Sequence, residues 1–251
     1  MTNPTHLWHP PPAELTLSRA EVHVWRADLD PSASCVERLQ YILSADELQR
    51  AARFHFPQDR RRFTVARGVL RDILGRYLGV PPSALGFRYN AYGKPALADV
   101  ADEEGLRFNI SHSDEMALFA VTCGREVGVD IEHLRTAIAC EDIAEHFFSA
   151  RERAGLRALP AEVKHRAFFN CWTRKEAYIK AHGEGLSLPL DQFDVSLAPG
   201  EPAALLATRS DPREALRWSL RVLTPGPDYV AAVAVEGQGW NLTCWQWRKS
   251  L

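Results

Sequence analysis

The chain has 251 residues, 46% of them hydrophobic and 25% charged, with a formal net charge of −2. That is enough for a real core, as one large domain or two lobes of roughly 100–125 residues, and gives no reason to expect nucleic acid or a basic membrane surface as partner. The cysteines (35, 123, 140, 171 and 244) are odd in number, widely spaced and lack a CxxC pair, which argues against a disulfide framework or zinc site and for a reducing compartment. "MTNPTHLWHPPPAEL" lacks a basic start followed by an apolar run, and no apolar stretch approaches the roughly 18–20 residues of a bilayer span; the expected location is cytoplasmic.

Residues 1–20 are Pro-rich and read as an irregular lead-in. "EVHVWRADL" alternates and predicts a strand. "SADELQRAARF" predicts a helix, with Ser44 as N-cap and Glu47 three residues on, a capping-box pattern. Residues 59–79 predict a long helix: Phe63, Val65, Val69, Leu70, Ile73, Leu74 and Tyr77 follow a helical period, and Gly79 with Pro81-Pro82 ends it. Arg62, Arg67 and Arg71 on this helix read as a solvated basic face. Short strands follow at "LGFRYN", "LRFNIS", "MALFAVT" and "EVGVDIE", with turns at "NAYGKP" and "SHSDE". A helical region runs from about Ile138 to His182, and "QFDVSL", "RWSLRVLT", "DYVAAVAV" and "LTCWQW" are further strands.

This order repeats itself. Laying Ser149-Ala150 on Ser44-Ala45 also brings Phe168 onto Phe63, Ile179 onto Leu74 and Val129 onto Val24, and leaves Phe193 one residue from Phe87. The expected fold is α+β: two similar lobes related by internal duplication, residues 21–125 and 126–251, with the active site in the cleft between them.

Three segments could carry chemistry, and each has a plain structural alternative. "GVDIEHL" places Asp130 and Glu132 on one face of a strand and Ile131 on the other; the pair is either an acidic edge in solvent or part of a site for a hard divalent cation. In "NCWTRKEAYIKAHGEG", Trp172, Glu176 and Lys180 share one helical stripe. Glu176 and Lys180 are either a surface ion pair worth ~0.2–0.5 kcal/mol or part of the same acidic site. Asn109, Ser111, His112 and Ser113 of "FNISHS" are an ordinary polar turn or a place for phosphate oxygens. "AYGKP", with Gly93 and Lys94, is by itself a β-turn signature.

In order, "AYGKPAL", "FNISHS", "VGVDIE", "FFSARE", "WTRKEAYIKAHGEGLSLPL" and "FDV" closely resemble the 4′-phosphopantetheinyl transferases, of the two-lobed type that activates peptide and polyketide synthetases. The resemblance implies transfer of the phosphopantetheine arm of coenzyme A to a serine of an acyl or peptidyl carrier protein, with release of 3′,5′-adenosine bisphosphate. It implies that Asp130, Glu132 and Glu176 hold Mg²⁺ (Mn²⁺ as a substitute), that Glu176 is the base, and that Lys180 balances pyrophosphate charge. Lys175 is a weaker candidate, since adjacent helical residues point about 100° apart. Ser111 and His112 match adenosine-phosphate contacts with Asn109 supporting the turn, and Lys94 matches a further phosphate contact. Arg50 fits one 3′-phosphate position; Glu47 stands where a relative carries lysine, and Arg62 is the substitute candidate. Trp172 is expected to pack the helix onto its lobe. An apolar and basic carrier surface is expected within 139–158, and a monomer suffices to enclose the site. The competing readings are another Mg²⁺-dependent phosphotransferase or nucleotide hydrolase, although no P-loop GxxxxGK[ST] is present, and a non-catalytic binder of coenzyme A or carriers.

Overall fold

Strand β1 (Glu21–Asp28) leads into helices α1 (Ala33–Tyr41), α2 (Ala45–Ala52) and α3 (Pro57–Leu78). Four strands follow: β2 (Phe87–Tyr89), β3 (Pro95–Leu97), β4 (Leu106–Ser113) and β5 (Met116–Cys123). The order then recurs, with β6 (Val127–His133), α4 (Cys140–Phe147), α5 (Ala150–Ala158) and α6 (Ala161–His182), then β7 (Phe193–Val195) and β8 (Leu205–Thr208). After the one-turn helix α7 (Glu214–Arg217) come β9 (Trp218–Leu223), β10 (Tyr229–Glu236) and β11 (Asn241–Gln246). This computed structural model describes residues 7–98, 105–135 and 139–248, apart from the Leu186 side chain; the expected helix start at Ile138 lies outside them.

The main sheets have strand orders β11-β1-β5-β4 and β6-β10-β9. β11 runs parallel to β1, pairing Asn241 with Glu21 and Gln246 with Arg26, so the last strand completes the first half's sheet. Helix α3 covers one face of that sheet, where Val69, Leu70 and Ile73 meet Trp25, Phe108 and Phe119. Helix α6 covers the second sheet, where Phe168, Tyr178 and Ile179 meet Trp218 and Val230. The remaining faces pack on each other: Val22, Val24, Leu118 and Ala120 against Val127, Val129, Ile131 and Val233. Central strands covered on both faces must be apolar throughout, which is why "MALFAVT" and "DYVAAVAV" do not alternate.

Both long helices have 22 residues and end on a left-handed glycine, Gly79 (φ 65°) and Gly183 (φ 86°). Each half also builds a buried ion cluster on its capping box. Glu47 Oε1 pairs with Arg67 (2.6 Å) and Oε2 with Arg71 (2.6 Å). Arg71 also donates to the carbonyls of Pro82 and Leu85 and lies over the Phe87 ring. In the second half Lys175 pairs with Glu152 (2.8 Å), donates to the carbonyls of Leu190 and Phe193, and lies over the Phe193 ring. The solvated basic face expected for Arg67 and Arg71 is therefore wrong: they are 6% and 1% exposed, because Glu47 requires cations inside.

Two further expectations change. "SHSDE" is not all turn: β4 continues to Ser113, and Asp114 (φ 52°) with Glu115 makes the hairpin. Residues 33–41, 95–97 and 205–208 form α1, β3 and β8, which the sequence patterns did not signal.

Candidate active site

Gly128 brings β6 and α6 together. A Cβ there would sit 2.1 Å from the Ala177 carbonyl and 2.3 Å from the Ala181 nitrogen, so only glycine lets the strand approach the helix this closely. Alternation turns Val127, Val129 and Ile131 into the core between the sheets, and Asp130 and Glu132 toward α6. From Ala167 to Ala181 every helix residue is buried except Trp172, Glu176 and Lys180. Trp172 packs on Phe168 and Phe147 (6.2 and 5.8 Å between ring centroids), so it anchors the stripe as expected.

Lys180 Nζ lies 2.6 Å from Asp130 Oδ1 and 3.0 Å from Ser111 Oγ, whose hydroxyl donates to the same Asp130 oxygen at 2.9 Å. The other Asp130 oxygen is buried without a partner. Ser113 Oγ donates to Glu132 Oε2 (2.8 Å) and accepts the His133 N–H (3.1 Å). Asn109 Oδ1 accepts the Val129 N–H at 3.0 Å. Asn109 therefore supports no turn; it sits mid-strand, and with Ser111 and Ser113 it forms a row of side-chain rungs joining β4 to β6. Ser113, in the polar cluster read from the sequence but given no role there, shares the period of two with Asn109 and Ser111 that puts it in this row.

Burial, then the charges of Asp130 and Glu132, pushes the Glu176 carboxyl up to about 7 against the lowering effect of Lys180. Glu132 is also raised, by burial first and Asp130 second. Two carboxyls raised by burial and by the charge of Asp130, beside an orphaned buried Asp130 oxygen, are the donor set a hard divalent ion such as Mg²⁺ takes. Among the described residues no three His, Cys, Asp or Glu side chains already stand in a metal-ligand arrangement; Lys180 holds Asp130 instead.

Next to these groups a cleft of about 470 Å³ is lined by Arg50, Arg67, Ser111, His112 and Lys180, with Phe63, Tyr89 and Tyr92 as aromatic walls. His112 is exposed at its mouth, and its pKa is lowered by desolvation first, then by the charges of Lys180 and Arg62. Arg50 lies over Phe63 at 5.6 Å. Arg62 is bound to Asp114 (3.0 Å) and does not line the cleft. Glu47 is 2% exposed, so it faces its arginines rather than a ligand. The cleft-side cation sequence reasoning missed is Arg67, which also donates to Tyr89 Oη (3.1 Å). Lys175 is fully buried on Glu152 and takes no part. Lys94 lines the cleft, but its ammonium is held by Glu126 and the Ala181 carbonyl.

A larger groove, about 860 Å³, lies between α4, α5 and the start of α6. Its charges are mixed: Glu141, Asp142 and Glu145 face Arg153, Arg157 and Lys164, and Glu145 already pairs with both arginines.

Residues 27–124 match the family described as "4′-phosphopantetheinyl transferase, N-terminal", and residues 126–234 match the "4′-phosphopantetheinyl transferase superfamily". The 4′-phosphopantetheinyl transferase HetI of Nostoc sp. is 48% identical over 242 residues, 96% of this chain and 99% of that protein. Sfp of Bacillus subtilis is 34% identical over 161 residues, 64% of this chain and 69% of that protein. Among solved structures, the ACPS–CoA complex of Chronobacterium ammoniagenes is 21% identical over 45% of this chain and 98% of that chain, with a TM-score of 0.34.

Proposed function

Because this chain belongs to the 4′-phosphopantetheinyl transferase superfamily, we propose that the β6–α6 carboxylates and the adjoining cleft carry the transfer of phosphopantetheine from coenzyme A to a carrier-protein serine. The serine oxygen forms a bond to the β-phosphorus of the pyrophosphate, the bridging P–O bond breaks, and 3′,5′-adenosine bisphosphate leaves. Little covalent work falls to the protein in such a displacement; alignment and charge neutralisation carry it.

Asp130, Glu132 and Glu176 would hold Mg²⁺, or Mn²⁺ in its place, and a divalent cation there neutralises pyrophosphate charge. Glu176 would take the serine proton as general base, directly or through water; in the metal-free chain its carboxyl is pushed up to about 7 by burial and by Asp130. Lys180, now on Asp130 and Ser111, donates to the departing phosphate. Ser111 and His112 would reach the adenosine phosphates, Arg50 would supply a cation while Arg67, held by Glu47, forms part of the wall, and Phe63, Tyr89 and Tyr92 suit a stacked base. Lobes of residues 21–125 and 126–251 would divide the work, the carboxylates falling in the second and the aromatic cleft walls in the first. The acidic carrier would dock as a peptidyl or acyl carrier domain in the groove of α4, α5 and the start of α6, where Arg153, Arg157 and Lys164 are the cations. One chain supplies every group named here, so a monomer suffices. All five cysteines are free, in keeping with the reducing cytoplasm, and among the described residues no helix is long and apolar enough to cross a membrane.

The observation that carries this reading is a trio of carboxylates shared between β6 and α6, with Asp130 buried and Glu132 and Glu176 half-buried and raised by it, next to a cationic, aromatic-walled cleft. With coenzyme A and Mg²⁺, a purified apo carrier protein should gain the mass of one phosphopantetheine unit. Unmodified peptidyl and acyl carriers, with a nucleotide hydrolysed in their place, would sink the reading in favour of a hydrolase.

A further inference from the structure

The turn between β2 and β3 is tied to a distant helix end. Asn90 Nδ2 donates to the Gly183 carbonyl at 2.8 Å, and Lys94 Nζ donates to the Ala181 carbonyl at 2.9 Å. Both acceptors belong to the last turn of α6 or its cap, where helix carbonyls lack intrahelical partners and a cation is favoured. The same ammonium pairs with Glu126 at 2.8 Å, on the residue that opens into β6. The contact is close: a Cβ on Gly183 would lie 3.3 Å from Lys94 Cδ. Asn90 also holds the turn itself, its Oδ1 accepting the N–H groups of Tyr92 and Lys94.

One ammonium thus joins three walls of the site: the hairpin that carries Tyr89 and Tyr92, the helix that carries Glu176 and Lys180, and the strand that carries Asp130 and Glu132. We propose that Lys94 is a positioning residue, a latch that fixes the β2–β3 hairpin against α6 and β6, with Glu126 and Asn90 as its other parts, and that it is not a phosphate contact. The inference rests on the reading of the cleft as the coenzyme A site. The side-chain exposure of 17% for Lys94 supports the latch, because its charge is already matched by a carboxylate and a helix end. An anion would have to draw it away from both.

The two roles predict opposite effects when Glu126 is neutralised. If Lys94 grips phosphate, Glu126→Gln frees the ammonium and tightens coenzyme A. If Lys94 is a latch, Glu126→Gln, Lys94→Met and Asn90→Ala all loosen the same hairpin. Each should then raise the KM for coenzyme A, and its Kd by calorimetry, by roughly three- to tenfold with a much smaller change in kcat. Unchanged or tighter binding in Glu126→Gln, beside a large loss in Lys94→Met, would overturn the latch. So would weaker binding confined to Lys94→Met. Thermal midpoints of the three variants show whether they remain folded under the assay, and Lys94→Arg, which can keep both bonds, should recover most of the lost affinity. The calorimetric arm reads coenzyme A binding without carrier protein, so a wild-type chain that binds coenzyme A but modifies no carrier would refute the transferase reading and still test the latch.

Discussion

Glu176, the base of the proposed mechanism, carries a cost in stability that depends on pH. In the unfolded chain its carboxyl loses its proton near 4.5; in the fold, burial and the neighbouring carboxylates hold the proton to about 7. The folded state therefore binds more protons between those values, so this group's contribution is fully present below about 4.5 and is lost as pH rises through 7. Glu176→Gln never ionises. Without divalent metal it should match the wild type near pH 4 and exceed it above pH 7 by roughly 1–3 kcal/mol. Melting curves in chelator at pH 4.5 and 8.5 test this; an equal difference at both would remove the electrostatic explanation. The same variant should lose transfer by at least two orders of magnitude, the scale of a lost general base, and near-normal turnover would remove Glu176 from the chemistry.

At the scale of elements, the two capping-box glutamates explain what first looked like a defect in the ligand site. Burial raises the Glu47 carboxyl, but Arg67 and Arg71 together with the Ser44 backbone hold it below its ordinary value. Its double use, for the α2 N-terminus and for α3, leaves no carboxylate lone pair facing the cleft. Glu47→Ala would strand two buried guanidinium groups and should destabilise by about 3–5 kcal/mol. Glu47→Lys should do worse and should not tighten coenzyme A, because three cations would then crowd one pocket. Denaturant midpoints together with coenzyme A titrations decide it; a stable, tighter-binding Glu47→Lys would show that the cluster is dispensable. Glu152 and Lys175 repeat the device with one cation, and Glu152 uses its second oxygen on the Val195 N–H (2.8 Å).

Across the whole molecule, the two sheets meet at β4 and β6 through side chains instead of a backbone ladder. Asn109, Ser111 and Ser113 do for this junction what carbonyls and amides do inside a sheet. The same row aims Asp130 and Glu132, so assembly and the proposed site share these rungs. Asn109→Ala leaves the buried Val129 N–H unpaired, which should cost about 1–3 kcal/mol, and should lower kcat more than it raises the KM for coenzyme A. A loss of stability with unchanged kcat would confine Asn109 to assembly. β11 adds to this closure: its partner is β1, at the other end of the chain, and Trp247 just beyond it donates to Asp72 on α3 (2.8 Å).

Local pattern alone settled a good deal. Period two in "GVDIE" put both carboxylates opposite Ile131, helical spacing aligned Trp172, Glu176 and Lys180, and Gly79 with Pro81-Pro82 stopped α3, because these are properties of a few neighbouring residues. The repeated order of elements was legible for the same reason. What needed the tertiary structure was every question about which charge meets which. Arg67 and Arg71 look like a surface stripe until Glu47, some 20 residues earlier, is folded against them. Lys94 looks like a free cation until the end of α6, nearly 90 residues later, arrives beside it with Glu126. A charge in sequence has no environment; burial and the partner brought in from a distant segment decide whether it binds a ligand, holds a wall in place, or neutralises another charge in the core.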